Sequence, residues 1–289
     1  MSKVYFLTGS SRGLGREIAQ AALGGGHRLV ATARRRDDLT DLTDRYGSQV
    51  LAISLDVTDA EAARAAIAAG VQAFGRIDAV INNAGYANLA AIEDITLQDF
   101  HEQVETNLFG VVNVTKAALP VLREQASGHI LQVSSIGGRL ATPGLSAYQA
   151  AKWAVGGFSE VLAAEVAPLG IKVTVIEPGG MVTDWAGSSM TIPPVSEPYR
   201  ETVGATAAVH DASWVPLGDP AKVAQVVLQL LDMDEPPLRL ILGSEAYAYA
   251  TAAAGTRAES DARWQELTIS TDRDDATIAE RDPLGARRS

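Results

Sequence analysis

The chain has no cysteine. That removes disulfides, thiolate metal sites and a cysteine nucleophile together. Histidine is scarce, with residues at 27, 101, 129 and 210 only. None stands at a metal-ligand spacing from another, so each reads as a surface or packing residue and no metal is expected. No apolar run approaches the roughly 20 residues of a membrane helix, so no membrane span is expected. Positive charge is also short. Lys and Arg number 24 against 35 Asp and Glu, a net charge of −11 that argues against general binding to nucleic acid or anionic membrane. Lys3 to Thr8 already reads as a strand entering a glycine loop, which leaves no room for a signal peptide. The expected location is the cytoplasm.

What remains is an α/β pattern in 289 residues, enough for one large domain or two small ones. Val4–Leu7, Arg28–Ala33, Val50–Leu55, Ala79–Ile81, His129–Val133, Ile171–Ile176 and Leu238–Leu242 read as strands. Helical stretches alternate with them. One is Ala-rich, starts at a Thr58 or Asp59 cap and runs through Phe74. Another is expected over Thr96–Leu119, stopped near Pro120. A third opens on Asp219-Pro220, cap then Pro at the first helical position, and runs through Leu231.

Between 184 and 218 the periodicity is lost. This structureless, Pro-rich stretch carries Trp185, Met190, Tyr199 and Trp214 and is expected to be a substrate lid. The domain organisation expected is one unit over 1–250, followed by a polar extension over 251–289. A helix is expected over 244–254, and in the polar tail beyond it a weak one around Trp264–Ile269.

Three groups of residues carry chemistry. The loop TGSSRGLG follows the first strand and contains Gly9, Ser11, Arg12, Gly13, Leu14 and Gly15. Its glycines permit a tight turn and close approach to a diphosphate, with a helix N-terminus aimed at the anion. A purely structural turn is the plainer reading. After the second strand, where an NAD site carries an acid for the ribose 2′-hydroxyl, stand Arg34, Arg35 and Arg36. An arginine pairs with a 2′-phosphate instead, so NADP(H) is expected over NAD(H), with Arg34 as the clamp and Arg12 as a second. A solvated helix start also explains an Arg run.

Asp56-Val57 ends the third strand, where an adenine amino group can be held, or where Asp56 simply caps a turn. Asn83-Ala84-Gly85 lies at the carboxyl end of the fourth strand and suits a loop along a cofactor.

The third group is Ser135, Tyr148 and Lys152. Ser135 ends a strand, and Tyr148 and Lys152 stand four apart on one helix face. A free phenol titrates near about 10, and a neighbouring cation lowers that value. On this reasoning Tyr148 is expected at about 8 to 9, as a proton donor and acceptor for a carbonyl or alcohol oxygen. An unremarkable surface helix is the plainer reading of the same spacing. Asn107, among apolar neighbours, either bends its helix and holds a water or is an ordinary core amide.

Together, TGSSRGLG, Asp56-Val57, Asn82-Asn83-Ala84-Gly85, Asn107, Ser135, Tyr148-x-x-x-Lys152 and Pro178-Gly179 resemble the short-chain dehydrogenase/reductase family, in its single-domain branch, over about residues 3 to 243. The resemblance implies a doubly wound sheet of seven parallel strands with helices on both faces. It implies that Tyr148 is the general acid/base and that Lys152 lowers its pKa and binds the nicotinamide ribose. Ser135 would orient the substrate oxygen and Asn107 would hold a water in a proton relay. Asn83, Met181 and Thr183 would contact cofactor, beside Pro178 and Gly179.

The function expected is an NADP(H)-dependent ketone reductase or alcohol dehydrogenase. Its pocket would be fairly apolar, lined by Ser135, Leu145, Tyr148, Trp185 and Met190, with a dimer or tetramer possible. The alternatives are a non-catalytic NADP-binding regulator and a nucleotide-sugar epimerase or dehydratase. The second of these usually needs a larger carboxy-terminal domain.

Overall fold

The computed structural model describes residues 2–183, 190–211 and 215–282. Trp185 and Trp214 lie outside the described residues. Short runs rich in Val, Ile and Leu form seven strands: β1 Val4–Leu7, β2 Arg28–Ala33, β3 Val50–Ser54, β4 Ala79–Asn82, β5 Gly128–Val133, β6 Ile171–Pro178 and β7 Arg239–Leu242. They pair in parallel in the order β3-β2-β1-β4-β5-β6-β7. Every residue of β1 and of β4 is buried, as strands covered on both faces require.

The chain winds outward from β1 to β3, then returns to β4 on the other side of β1. The crevice at the carboxyl ends of β1 and β4 is therefore the topological switch point, where ligands of such sheets bind. Both faces are covered. One core joins α1 (Gly13–Gly24), α2 (Thr40–Tyr46) and α8 (Pro220–Asp232) to the sheet through Ile18, Leu42 and Val227. The other joins α3 (Ala60–Phe74), α5 (Gly110–Glu124) and α6 (Ser146–Val166) through Ile67, Val114 and Leu162. Asp59 is the cap of α3, accepting from the Glu61 and Ala62 amides, and Asp219 does the same for α8.

Three expectations need correction. Pro120 does not stop its helix, and α5 continues to Glu124. The extra turn buries Leu122 completely in the second core, and that burial outweighs the lost proline hydrogen bond.

The stretch after β6 is not structureless. Glu197–Tyr199 and Arg200–Gly204 are helical turns leading into α7 (Ala205–Asp211). Val203 is buried there against Leu89 and Leu145, a contact that no local periodicity announces. The tail helix α9 also runs past 254, over Ser244–Arg263, with α10 (Gln265–Ile269) and α11 (Ile278–Arg281) behind it.

The chain divides into two compact units, Met1–Ala248 and Tyr249–Ser289. No helix among the described residues is long and apolar enough to cross a membrane.

Candidate active site

The site is built where β5 hands over to α6. Ser135 follows the strand in extended conformation and starts a tight turn over Ile136–Gly138. Its Oγ accepts from the Gly137 amide at 3.0 Å, which leaves its own proton to donate to Tyr148 Oη. The turn lies close to α6. A Cβ on Gly137 would sit 3.3 Å from the Tyr148 ring, and one on Gly138 would sit 2.9 Å from the Lys152 carbonyl oxygen. The loop before α6 is fastened by Gln149, whose Oε1 accepts from the Thr142 amide at 2.8 Å and whose Nε2 donates to Thr142 Oγ1 at 3.0 Å.

One turn along, Lys152 Nζ donates to the Val133 carbonyl at 2.8 Å and lies 5.7 Å from the centre of the Tyr148 ring. Tyr148 and Lys152 are 6% and 4% exposed, so the surrounding protein shields both side chains from bulk water.

That burial corrects the expected titration. Desolvation pushes the Tyr148 phenol up to about 12, and the Ser135 hydrogen bond opposes it only in part. Desolvation likewise brings the Lys152 ammonium down to about 8. The expectation of about 8 to 9 for Tyr148 counted a cation and left out the cost of burying the phenolate. In the cofactor-free site at neutral pH, Tyr148 is therefore a neutral phenol, the form that donates a proton.

Asn107 is fully buried beside this group. Between α4 (Leu97–Val104) and α5, Glu105–Phe109 form a π-helical turn with Asn107 at its centre. The Asn107 Nδ2 donates to the Gln103 carbonyl, four residues back, and to the Tyr86 carbonyl, each at 2.8 Å. Taking the Gln103 carbonyl by a side chain fits the wider turn, and such turns recur at functional sites. Its Oδ1 has no hydrogen-bond partner among the described residues. A Cβ on Gly85 would lie 2.5 Å from that oxygen and 3.5 Å from Lys152 Nζ, so Gly85, Asn107 and Lys152 border one space.

The other wall comes from β1. Gly9 has φ +68°, and a Cβ on Gly15 would lie 2.0 Å from the Gly9 carbonyl oxygen, so the turn admits only glycine there. Arg12 precedes α1 without capping it by side chain, and Leu14 anchors the helix in the core. Gly13 faces Thr183, whose Cβ lies 3.6 Å from a Cβ built there, so the loop after β6 meets the start of α1. Pro178 ends β6, the Gly179 amide donates to the Leu242 carbonyl, and Met181 bridges to Gly218.

Asn83 turns its side chain to the glycine loop, donating to the Thr8 and Gly9 carbonyls at 3.0 and 3.1 Å. Ala84 and Gly85 continue past it toward Asn107. Val57 is buried against Gly110. Asp56 is exposed, with Oδ1 accepting from the Thr58 amide and hydroxyl.

Among the arginines, Arg35 is held by Asp38 at 2.6 Å. Arg12, Arg34 and Arg36 are exposed and have no carboxylate partner among the described residues. Glycine cradle and open helix N-terminus together fit the diphosphate of a dinucleotide.

Leu145 and Tyr148 share an apolar cluster with Ala87, Leu89 and Val203, against which Met190 and Ile192 pack. The segment from 190 is laced onto the chain after β4. Leu89 N donates to the Thr191 carbonyl at 3.0 Å, and Tyr199 Oη donates to Glu93 Oε2 at 2.6 Å.

Sequence reasoning missed two fasteners. Thr8 Oγ1 accepts from both the Asn83 and Ala84 amides, at 2.9 and 3.0 Å. Arg16 donates to the Ser11 and Asp38 carbonyls and pairs with Asp41, tying the glycine loop to the segment after β2. The first had a signal, a Thr ending the strand before the glycine. The second had none.

The sequence matches the short chain dehydrogenase family over residues 3–191. The chain belongs to that family and is an oxidoreductase of it. The oxidoreductase BOA17 of Botryotinia fuckeliana (strain B05.10) is 57% identical over 271 residues, which cover 93% of this chain and 99% of that protein. A short-chain dehydrogenase structure from Streptomyces avermitilis has TM-score 0.89 and 38% identity, covering 94% of this chain and all of that one. An alcohol dehydrogenase structure from the archaeon Thermococcus sibiricus, complexed with 5-hydroxy-NADP, has TM-score 0.69 and 28% identity, covering 84% and 96%.

Proposed function

We propose that the protein is an NADP(H)-dependent oxidoreductase interconverting a carbonyl and a secondary alcohol. The observation that carries this is the buried Tyr148 phenol, hydrogen-bonded by Ser135 and one turn from Lys152. NADP(H), when bound, supplies the hydride that no side chain of this chain can. Gly9, Ser11, Gly13 and Gly15 would hold its diphosphate, and Arg34 with Arg12 its 2′-phosphate. Asp56, Asn83, Pro178, Met181 and Thr183 would form the rest of its bed.

Ser135 Oγ holds the substrate oxygen by donating a hydrogen bond to it. Tyr148 Oη gives that oxygen its proton during reduction and takes it back during oxidation. The phenolate left after reduction is stabilised by the Ser135 hydroxyl and the Lys152 ammonium. Lys152 and Asn107 Oδ1 share the proton path that reprotonates it, through water. Leu89, Leu145, Met190 and Val203 favour an apolar substrate, and the described segment from Met190 to Ala207, packed on Leu89 and Leu145, would act as its lid. The whole activity resides in 1–250, with 251–289 an extension.

Incubating the protein with NADPH and a panel of apolar ketones tests the reading. Carbonyl-dependent loss of NADPH absorbance is expected. Tight NADPH binding without turnover of any ketone or alcohol would make the protein a cofactor-binding regulator instead.

A further inference from the structure

Glu177 is the last residue of β6 before Pro178, and its side chain is completely buried. A carboxylate in that position must be paired on both oxygens. Oε2 accepts from Arg139 Nε at 2.8 Å and from its Nη2 at 2.7 Å. Oε1 accepts from Arg239 Nε at 3.1 Å and from its Nη2. Arg239 Nη1 in turn donates to Glu160 at 2.7 Å. Four charges thus alternate in sign through the fold, Arg139, Glu177, Arg239 and Glu160, with the buried Glu177 between the two arginines.

Each member stands on a different working part of the site. Arg139 closes the turn begun by Ser135, in which the Gly138 amide donates to the Ser135 carbonyl and the Arg139 amide to the Ile136 carbonyl. Glu177 leads directly into Pro178-Gly179. Arg239 opens β7 and lies against α6 at Gly156, one turn beyond Lys152. A Cβ there would stand 3.0 Å from Arg239 Nη2, so a glycine in the catalytic helix makes room for the guanidinium.

We infer that Glu177, through Arg139 and Arg239, is a positioning residue that fixes the Ser135 turn against the helix carrying Tyr148 and Lys152. The inference rests on the oxidoreductase reading for its kinetic consequence. Apolar side chains of similar volume would hold these elements at least as firmly, because buried ion pairs cost desolvation. What they would not supply is direction. Two forked guanidiniums on one carboxylate fix the angle as well as the distance between the parts they join.

Arg139→Ala, with Arg139→Lys as the conservative variant, tests this. Glu177→Gln strands two guanidiniums in the interior and risks unfolding the protein, whereas loss of Arg139 leaves Glu177 paired with Arg239. Two measurements are made beside wild type. One is hydrogen exchange at the Gly137, Gly138 and Arg139 amides of the cofactor-free protein, with the amides of α3 as internal reference. The other is kcat, KM and NADPH affinity with a ketone turned over by wild type.

Arg139→Ala is expected to exchange about tenfold faster at the turn and not in α3. It should lose about tenfold in kcat while NADPH affinity stays within about threefold, and Arg139→Lys should recover part of the loss. Exchange at the turn and kcat both within about twofold of wild type would overturn the inference. So would equal acceleration of exchange in the turn and in α3. If wild type turns over no ketone, the carbonyl–alcohol reading fails, and exchange alone still decides whether Glu177 and Arg139 hold the turn.

Discussion

The two walls of the site are held together in different ways. The wall around the glycine loop is fastened mainly by neutral groups, the Thr8 hydroxyl, the Asn83 amide and backbone carbonyls, with Arg16 tying its edge to the Ser11 and Asp38 carbonyls and Arg12, Arg34 and Arg36 outside in water. The wall around Ser135 and α6 is fastened by buried ionisable groups, Lys152 on the Val133 carbonyl and Glu177 between two arginines. A wall that only has to cradle an anion needs dipoles and surface charge. A wall that moves a proton needs groups whose protonation burial can tune. The first should therefore respond to changes of charge at its surface, and the second to pH.

Changing the first wall at its surface should give the largest effect on binding. Arg34→Asp replaces the partner proposed for the 2′-phosphate with a repelling charge, so NADPH affinity should fall about 100-fold while NADH affinity changes little. Fluorescence titration of both cofactors checks this, and equal losses would place the 2′-phosphate elsewhere.

Within the same wall, Thr8→Val leaves the Asn83 and Ala84 amides without their acceptor. Stability should drop by about 2 kcal/mol in denaturant melts, with no new pH dependence.

The effect of pH is the most diagnostic of the second wall. The Lys152 ammonium is brought down to about 8 in the folded protein from its usual 10.5. Below about 8 it is charged in both states, and the folded state carries the whole desolvation cost. Between about 8 and 10.5 the folded protein has lost the proton and the unfolded chain has not, so the cost fades as pH rises. The stability of wild type relative to Lys152→Met should therefore increase with pH across that window, by a few degrees in the difference of Tm. A constant difference would mean that Lys152 is not desolvated.

How much of this was readable in sequence depends on how near the partners lie in the chain. In the neutral wall the glycine turn is local, whereas its Thr8–Asn83 fastening spans 75 residues. Gly9 to Gly15 follow one strand directly, Asp59 and Asp219 cap the helices they precede, and strand spacing carried the alternation of the fold. Tyr148 and Lys152 were also local, one turn apart on one helix. What could not be read depends on partners distant in the chain. Arg139 and Glu177 meet from 38 residues apart, and Val203 finds Leu89 across more than 100. Pro120 reads as a stop until Leu122 is seen to be buried beyond it. The Tyr148 titration was misjudged for the same reason, since spacing reveals the neighbouring Lys152 but not the exclusion of water that raises the phenol against the Ser135 hydrogen bond.

The account stands most directly on carbonyl reduction by Tyr148→Phe beside wild type, followed by loss of NADPH absorbance from pH 6 to 8. Burial keeps the phenol protonated over that range, so wild type should reduce ketones at a rate that varies little with pH. Tyr148→Phe should lose about 1,000-fold in kcat and keep its NADPH affinity within about threefold, because only a proton contact made in the transition state is removed. Turnover by Tyr148→Phe within about tenfold of wild type would contradict the assignment of Tyr148 as the proton donor.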